Sequence, residues 1–223
     1  MTASQLNAAT SFLKFKYPSF FDVVSQAYPD CFYWKLDWTD AFFTQRIFQP
    51  FRKYFAYQHP DSGLFYHYCV LVFGWKLSPY YYSKIVNAYV DMLRLTDHYS
   101  GTLVCNSANT PQHHGTMPRL HRVRRNGAVA TSMDHYCDDG MAMSPDAADG
   151  RAALRQAASL VAHLGAQPKM SKTVPPTQCD DSILGLLLDT RGSSLSIGVP
   201  PARLQALRLL MRQFRQQYRP TKH

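Results

Sequence analysis

Apolar positions along the chain fall into short runs that alternate between a two-residue and a 3.6-residue repeat, the signature of mixed strands and helices. Residues 32–38 (FYWKLDW) are a nearly continuous apolar run, which predicts a buried strand ending on an acidic residue. Residues 64–73 (LFYHYCVLVF) are rich in aromatic and β-branched side chains and predict a second strand. The turn formers HPDSG at 59–63 suit a hairpin connection before it. From Ser78 the spacing predicts a helix to about Leu95, with serine at the cap and proline directly after it.

Residues 96–127 break the pattern. They are polar, turn-rich and increasingly basic, and read as a long surface loop inserted in the domain, a length unusual inside a compact fold. Order returns with AVATSMDHYCDDGMAM (128–143), a hairpin turning at HYCDDG. SPD at 144–146 caps a helix through His163, with Leu154, Ala157, Val161 and Leu164 at helical spacing and Gly165 at its stop. ILGLLLD (183–189) and SLSIG (194–198) read as two strands. A last helix starts after Pro200–Pro201, its stripe of Leu204, Leu207, Leu210, Met211, Phe214 and Tyr218 flanked by Arg208, Arg212, Arg215 and Arg219. This succession of strands and helices implies an α+β fold, an antiparallel sheet backed by helices.

Composition narrows the partners. Hydrophobic residues make up 46% of 223, enough for a buried core rather than a disordered chain. The formal charge of +9 favours polyanions, either nucleic acid or an anionic membrane surface. No apolar run approaches the roughly 20 residues that span a bilayer, which disfavours the membrane. Five scattered cysteines without a C-x-x-C pair, behind a start that lacks signal-peptide character, imply an intracellular protein of cytoplasm or nucleus. Cys105, His113, His114 and His121 match no zinc spacing; HRVRR at 121–125 would add nonspecific attraction to phosphate.

Three carboxylates occupy positions that a core avoids. Asp37 ends the first apolar run, and Asp138 and Asp139 sit in a tight turn between Tyr136 and Gly140. Asp-Asp-Gly is also a common turn sequence, and Asp37 taken alone could cap a helix. Were the three to meet, each pair about 4 Å apart would cost about 4 kcal/mol at an effective dielectric near 20. A shared proton would relieve this, giving an acid/base pair; so would a hard divalent cation with oxygen ligands.

The setting of these residues resembles a known family. KLDWTDAFF (35–43), FGWKLSP (73–79) and YCDD (136–139) resemble, in order, the palm motifs of reverse transcriptases from retroviruses and from long-terminal-repeat and tyrosine-recombinase retrotransposons. LGAQPKMSKT (164–173) is similar to the segment after the second palm helix, and ILGLLLD (183–189) to the hairpin that grips the primer. Together these cover about residues 32–217.

The resemblance implies an RNA-directed DNA polymerase that takes an RNA or DNA template with its primer, deoxynucleoside triphosphates and two Mg2+ or Mn2+ ions. It implies that Asp37 and Asp138 span both ions, that Asp139 completes the cluster, and that the Trp38 carbonyl adds an oxygen. Asp40, Ala41 and Phe42 would lie under the nucleotide sugar, with Phe42 excluding a 2′-hydroxyl unless it is simply a packed aromatic. Gly74 would admit close backbone approach, followed by Trp75 and Lys76; the family's common glutamine before that glycine is here Phe73. Tyr136 would pack beneath the primer terminus, and Leu184 and Gly185 would lie in the primer hairpin. Lys172, or its rival Lys169, could protonate the departing pyrophosphate or lie in a solvated loop. Arg52 and Lys53 could touch phosphate or be solvated. The implied division is a partial fingers segment at 1–30, the palm at 31–198 with the loop 96–127 inserted, and the start of a thumb at 199–223. Two other readings stay open: an inactive, reverse-transcriptase-derived protein that only binds nucleic acid, and a metal-dependent phosphodiesterase using the same carboxylates.

Overall fold

The computed structural model describes residues 3–105 and 120–217. In chain order the elements are α1 (Ala3–Ala9), α2 (Phe20–Val24), β1 (Phe32–Thr39), two 3-10 turns (Ala41–Thr44 and Gln49–Phe55), β2 (Ala56–Gln58), β3 (Phe65–His67) and α3 (Ser78–Arg94). Then follow β4 (Thr102–Cys105), β5 (Leu120–Val123), β6 (Val129–Ala130), β7 (Ser132–Tyr136), β8 (Asp139–Ser144) and α4 (Ala147–His163). The remainder is β9 (Gln167–Pro168), β10 (Val174–Thr177), β11 (Cys179–Ile183), β12 (Leu186–Asp189), β13 (Ser196–Gly198) and α5 (Pro201–Gln217).

The central sheet runs β10-β1-β8-β7, all antiparallel, with β9 pairing the end of β1. Because β1 lies in the middle, both of its faces are covered, and this is why its sequence reads as a continuous apolar run. Trp34, Leu36 and Trp38 pack with Tyr82, Tyr89 and Leu93 of α3 and Ala153, Ala157 and Val161 of α4. On the opposite face Tyr33 packs with Val23, Met141, Met143, Ile183 and Leu188. By the alternation of a strand, Lys35 and Asp37 continue the Tyr33 face beyond that second core. The mixed helices and antiparallel sheet agree with the α+β expectation.

Four local expectations need correction. Residues 64–73 form only the short strand β3, paired with β2 in a two-stranded hairpin; Leu71 turns inward and is buried, and the apolar character of the run goes instead to exposed rings. Ser78 does not cap α3. Leu77 occupies that position, while the buried Ser78 hydroxyl donates to the Val72 carbonyl at 2.7 Å. The stretch 96–127 is not simply a loop, since β4, β5 and β6 form a three-stranded sheet within and beyond it; residues 106–119, with His113 and His114, lie outside the described residues. Finally, 183–189 is not the single strand its apolar run suggests but a hairpin, as the family resemblance implied: Ile183 pairs Leu186 across a Leu184–Gly185 turn with φ of 47° and 82°.

The β4-β5-β6 sheet is tied to α4 and the central sheet by a polar network. Asp149, in the first turn of α4, accepts hydrogen bonds from Arg124 at 3.0 and 3.1 Å and from Thr131 at 3.1 Å, and meets the His98 ring nitrogen at 2.9 Å. Thr131 in turn meets Ser144 at 2.8 Å, and Ser144 accepts from the Trp34 indole at 3.0 Å. The predicted cap of α4 is present, with Asp146 accepting from the Ala148 and Asp149 amides.

Candidate active site

Backbone pairing brings two of the three carboxylates together. Asp37 lies directly across from Asp139 in the β1–β8 register, so both side chains leave the same face of the sheet. Two further bonds hold this end of β1: the Trp38 amide donates to the Asp138 carbonyl at 3.2 Å, and the Lys169 amide donates to the Asp37 carbonyl at 2.7 Å. Between β7 and β8 the chain reverses through Cys137 and Asp138, since Tyr136 pairs Asp139. A two-residue reversal of this kind needs positive φ, and Cys137 adopts 56°. In a residue with a Cβ that conformation costs about 1–2 kcal/mol.

Asp37 is only 3% exposed. Burial pushes its carboxyl up from the ordinary value, a hydrogen bond with Asp139 adds to this, the Lys172 ammonium pulls the other way, and the charges of Asp139 and Asp138 raise it further. Two lysines supply partial compensation. Lys35 Nζ is 2.9 Å from Asp139 Oδ1, and Lys172 Nζ is 3.7 Å from Asp37 Oδ2. Lys35 is well enclosed, whereas the Lys172 side chain is 57% exposed. Asp138 stays on the turn; among the described residues, no three or more His, Cys, Asp or Glu side chains form a group arranged to hold a metal ion as they stand.

The other candidates surround this pair. The Trp38 indole points away from it, edge-on to Tyr82 and Tyr89, so that only the backbone of Trp38 belongs to the site. Asp40 is exposed, in left-handed conformation at φ 50°, and starts the turn that buries Ala41 and Phe42. The Phe42 ring packs against Tyr82 at 5.2 Å and Phe73 at 5.1 Å. Gly74 has φ 89°, a conformation that suits glycine. Trp75 is held edge-on by Phe55 and stacked on Tyr81. Tyr136 is 40% exposed and leans on Tyr17 at 5.7 Å. Arg52 donates to the Ile47 carbonyl at 3.0 Å, and Lys53 sits over the Tyr54 ring, so both have local structural partners. Gly185 accepts from Arg203 at 2.9 Å, which ties the Leu184–Gly185 turn to the first turn of α5.

Three contributors escaped the sequence reading. Asn7 brackets Trp75: its side-chain amide donates to the Gly74 carbonyl at 2.7 Å and its oxygen accepts from the Lys76 amide at 2.8 Å. Tyr17 and Arg203 are the other two, and their roles depend on contacts between distant segments that no local pattern announces. Lys35 is a fourth, although it stands two residues before Asp37 and strand alternation puts both on one face. Its loss should be costly. Lys35→Met keeps the apolar stem and removes the charge, leaving Asp139 unpaired beside Asp37, and is expected to destabilise the metal-free protein by about 1–3 kcal/mol. Denaturant unfolding in EDTA checks this, with Lys35→Arg expected to stay near wild type; an unchanged midpoint for Lys35→Met would show that the pair contributes nothing.

Comparison with known proteins bears on the fold and the family. Two solved structures of the foamy viral protease-reverse transcriptase share the fold. One, in complex with an RNA/DNA hybrid, is 11% identical at a TM-score of 0.60, over 87% of this chain and 20% of that one. The other, a form termed dRH with double-stranded DNA, is 10% identical at 0.65, over 92% of this chain and 29% of that one. The chain therefore spans less than a third of either protein. None of the curated proteins is significantly similar in sequence. The family model described as reverse transcriptase (RNA-dependent DNA polymerase) matches residues 1–180, and the chain belongs to that family.

Proposed function

We propose that the site performs template-directed DNA synthesis by two-metal nucleotidyl transfer, on an RNA or DNA template with its primer, and that the chain comes from a retroelement. The observation that carries this reading is the buried Asp37 facing Asp139 at the end of the central strand, with Asp138 beside them on the turn. This donor set fits a hard divalent cation in kind: it is all oxygen, crowded with like charge, and has one carboxyl already pushed toward protonation. Asp37, Asp138 and Asp139 would hold two Mg2+ or Mn2+ ions, with the Trp38 carbonyl as a further oxygen. When bound, the ions would lower the pKa of the primer 3′-hydroxyl and neutralise the leaving pyrophosphate.

The protein's own share is positioning. Lys172, 57% exposed and 3.7 Å from Asp37, would meet the triphosphate and give a proton to pyrophosphate; Lys169, its rival for that role, is held by its backbone to β1. Gly74, pinned by Asn7, leaves room for backbone contact with the nucleotide. Tyr136 offers an open ring to the primer terminus, and the Leu184–Gly185 turn, braced by Arg203, would grip the primer strand. Helix α5 would begin the thumb. Deoxynucleoside triphosphates are the proposed second substrate, and cytoplasm or nucleus the proposed compartment. Among the described residues no helix is long and apolar enough to cross a membrane.

Phe42 would set sugar selectivity. Its buried ring packs between Tyr82 and Phe73. Phe42→Ala is therefore expected to raise ribonucleotide use relative to deoxynucleotides about tenfold or more, the lower end of what one lost steric or packing contact is worth. Equal discrimination by wild type and variant in single-nucleotide primer extension would remove Phe42 from this role. The reaction itself is tested by extending a labelled primer on a homopolymer RNA template with Mn2+ or Mg2+. Products longer than the primer support polymerisation; shorter products indicate a phosphodiesterase, and binding without product indicates an inactive remnant.

A further inference from the structure

The β2–β3 hairpin bears a row of open rings that the proposed chemistry does not use. Tyr57 and Tyr66 face each other in the register, with centroids 6.0 Å apart and planes within 28°. Tyr68, two residues beyond Tyr66 and so on the same face, lies 5.1 Å from Tyr57 at 31°. His59, half-buried, meets Tyr66 edge-on at 6.1 Å and 67° and so borders the row without continuing its planes. The three tyrosines are 39%, 46% and 44% exposed. The hairpin's root is firm: the Ile47 amide donates to Cys69 and the Leu71 amide to Gln45 at 2.7 and 2.8 Å, and Phe55 is buried against Trp75. The hairpin is thus anchored at its base, next to the turn that carries Phe42.

We propose that this row is a stacking platform for single-stranded nucleic acid. Near-parallel aromatic planes left open to water match the faces of unpaired bases, whereas bases inside a duplex are already stacked and offer only their edges. Phenol and imidazole edges keep the surface wettable, unlike an apolar patch built for protein or lipid. Charge agrees at the base of the hairpin: residues 44–76 hold Arg46, Arg52, Lys53 and Lys76, all flanking the hairpin, against Asp61 in its turn as the sole acidic residue, so a phosphate backbone is attracted where the hairpin begins. The inference rests on the nucleic-acid part of the proposed function and not on catalysis, which separates their tests.

The probe is a labelled oligothymidylate of about 12 nucleotides, within the usual single-strand site size, titrated with the whole chain by fluorescence anisotropy in EDTA. Changing Tyr57→Ala and Tyr66→Ala together is expected to weaken binding about tenfold or more, since each ring that stacks a base is worth about that factor. Tyr57→Phe with Tyr66→Phe should stay within about twofold, because the ring and not the hydroxyl carries the stack. A blunt duplex should bind wild type and both variants alike. The proposal is overturned if wild type does not bind the single strand, if the alanine variant binds it normally, if the duplex weakens equally, or if wild type is a dimer that the alanine changes disperse. Metal-dependent extension is measured separately: extension retained without the single-strand effect sinks the platform alone, and the reverse result sinks only the polymerase reading.

Discussion

Replacing Asp37 with asparagine is expected to raise the stability of the metal-free protein while abolishing both its response to Mn2+ and its nucleotide incorporation. The direction follows from the raised pKa of this buried carboxyl. A carboxylate with its folded value above its unfolded one costs nothing when both states are protonated, below about pH 4. The cost grows as pH rises toward the folded value and is fully present above it. Metal-free wild type should therefore lose stability as pH is raised from about 4 toward neutrality through this group, and Asp37→Asn should not share that loss. Lys172, deprived of its partner, is 57% exposed and can be solvated in either form.

Bound Mn2+ reverses the balance. At a hundred times its dissociation constant a ligand specific to the folded state adds about 2.7 kcal/mol. For a chain of this size that is a rise in melting temperature of about 5–10 °C. Asp37→Asn should show no such rise. Its incorporation rate should fall by more than about a hundredfold, the upper end of what changes behind a metal's direct ligands produce. Thermal melts with EDTA and with Mn2+ measure both effects; equal Mn2+ shifts in the two proteins would remove Asp37 from the metal site.

Trp34→Ala should be the most damaging core change. The indole is fully buried at the centre of β1, edge-on to Tyr99 at 6.4 Å, and its N–H ends the network running through Ser144 and Thr131 to Asp149. Truncating a large buried aromatic costs about 3–5 kcal/mol, or about 6–20 °C in melting temperature. Trp34→Phe keeps most of the packing and loses the hydrogen bond, for about 1–3 kcal/mol. If Trp34→Ala lost less than about 1 kcal/mol, the core would not be centred on β1 as the packing indicates.

How far the chain could be read depended on how local each signal was. β1 and α4 were visible because burial on both faces of a strand, and an aspartate cap followed by helical spacing, leave local marks. The α+β class followed from their order. The 64–73 segment misled because aromatic, β-branched sequence marks strand preference, while the actual strand stops at His67 where pairing with β2 ends. The sheet formed by β4, β5 and β6 was hidden because its partners are joined across residues 106–119 and its anchor, Asp149, lies in α4. At the site, the pairing of Asp37 with Asp139 could be expected from the order of the motifs, whereas Asn7 and Arg203 could not. Each acts on a backbone carbonyl far away in sequence, 67 and 18 residues respectively, and backbone acceptors carry no side-chain signature.

Whether these carboxylates drive metal-dependent DNA synthesis is decided by primer extension with wild type and Asp138→Asn side by side. Asp138 is half-buried on the turn and its backbone carbonyl accepts from the Trp38 amide, a bond that asparagine preserves, so folding should be unchanged. Wild type is expected to extend the primer with Mn2+ or Mg2+, and Asp138→Asn to lose extension while binding the primer–template with equal affinity. Extension that persists in Asp138→Asn, or that proceeds in wild type with EDTA, would mean that these carboxylates do not hold a catalytic metal.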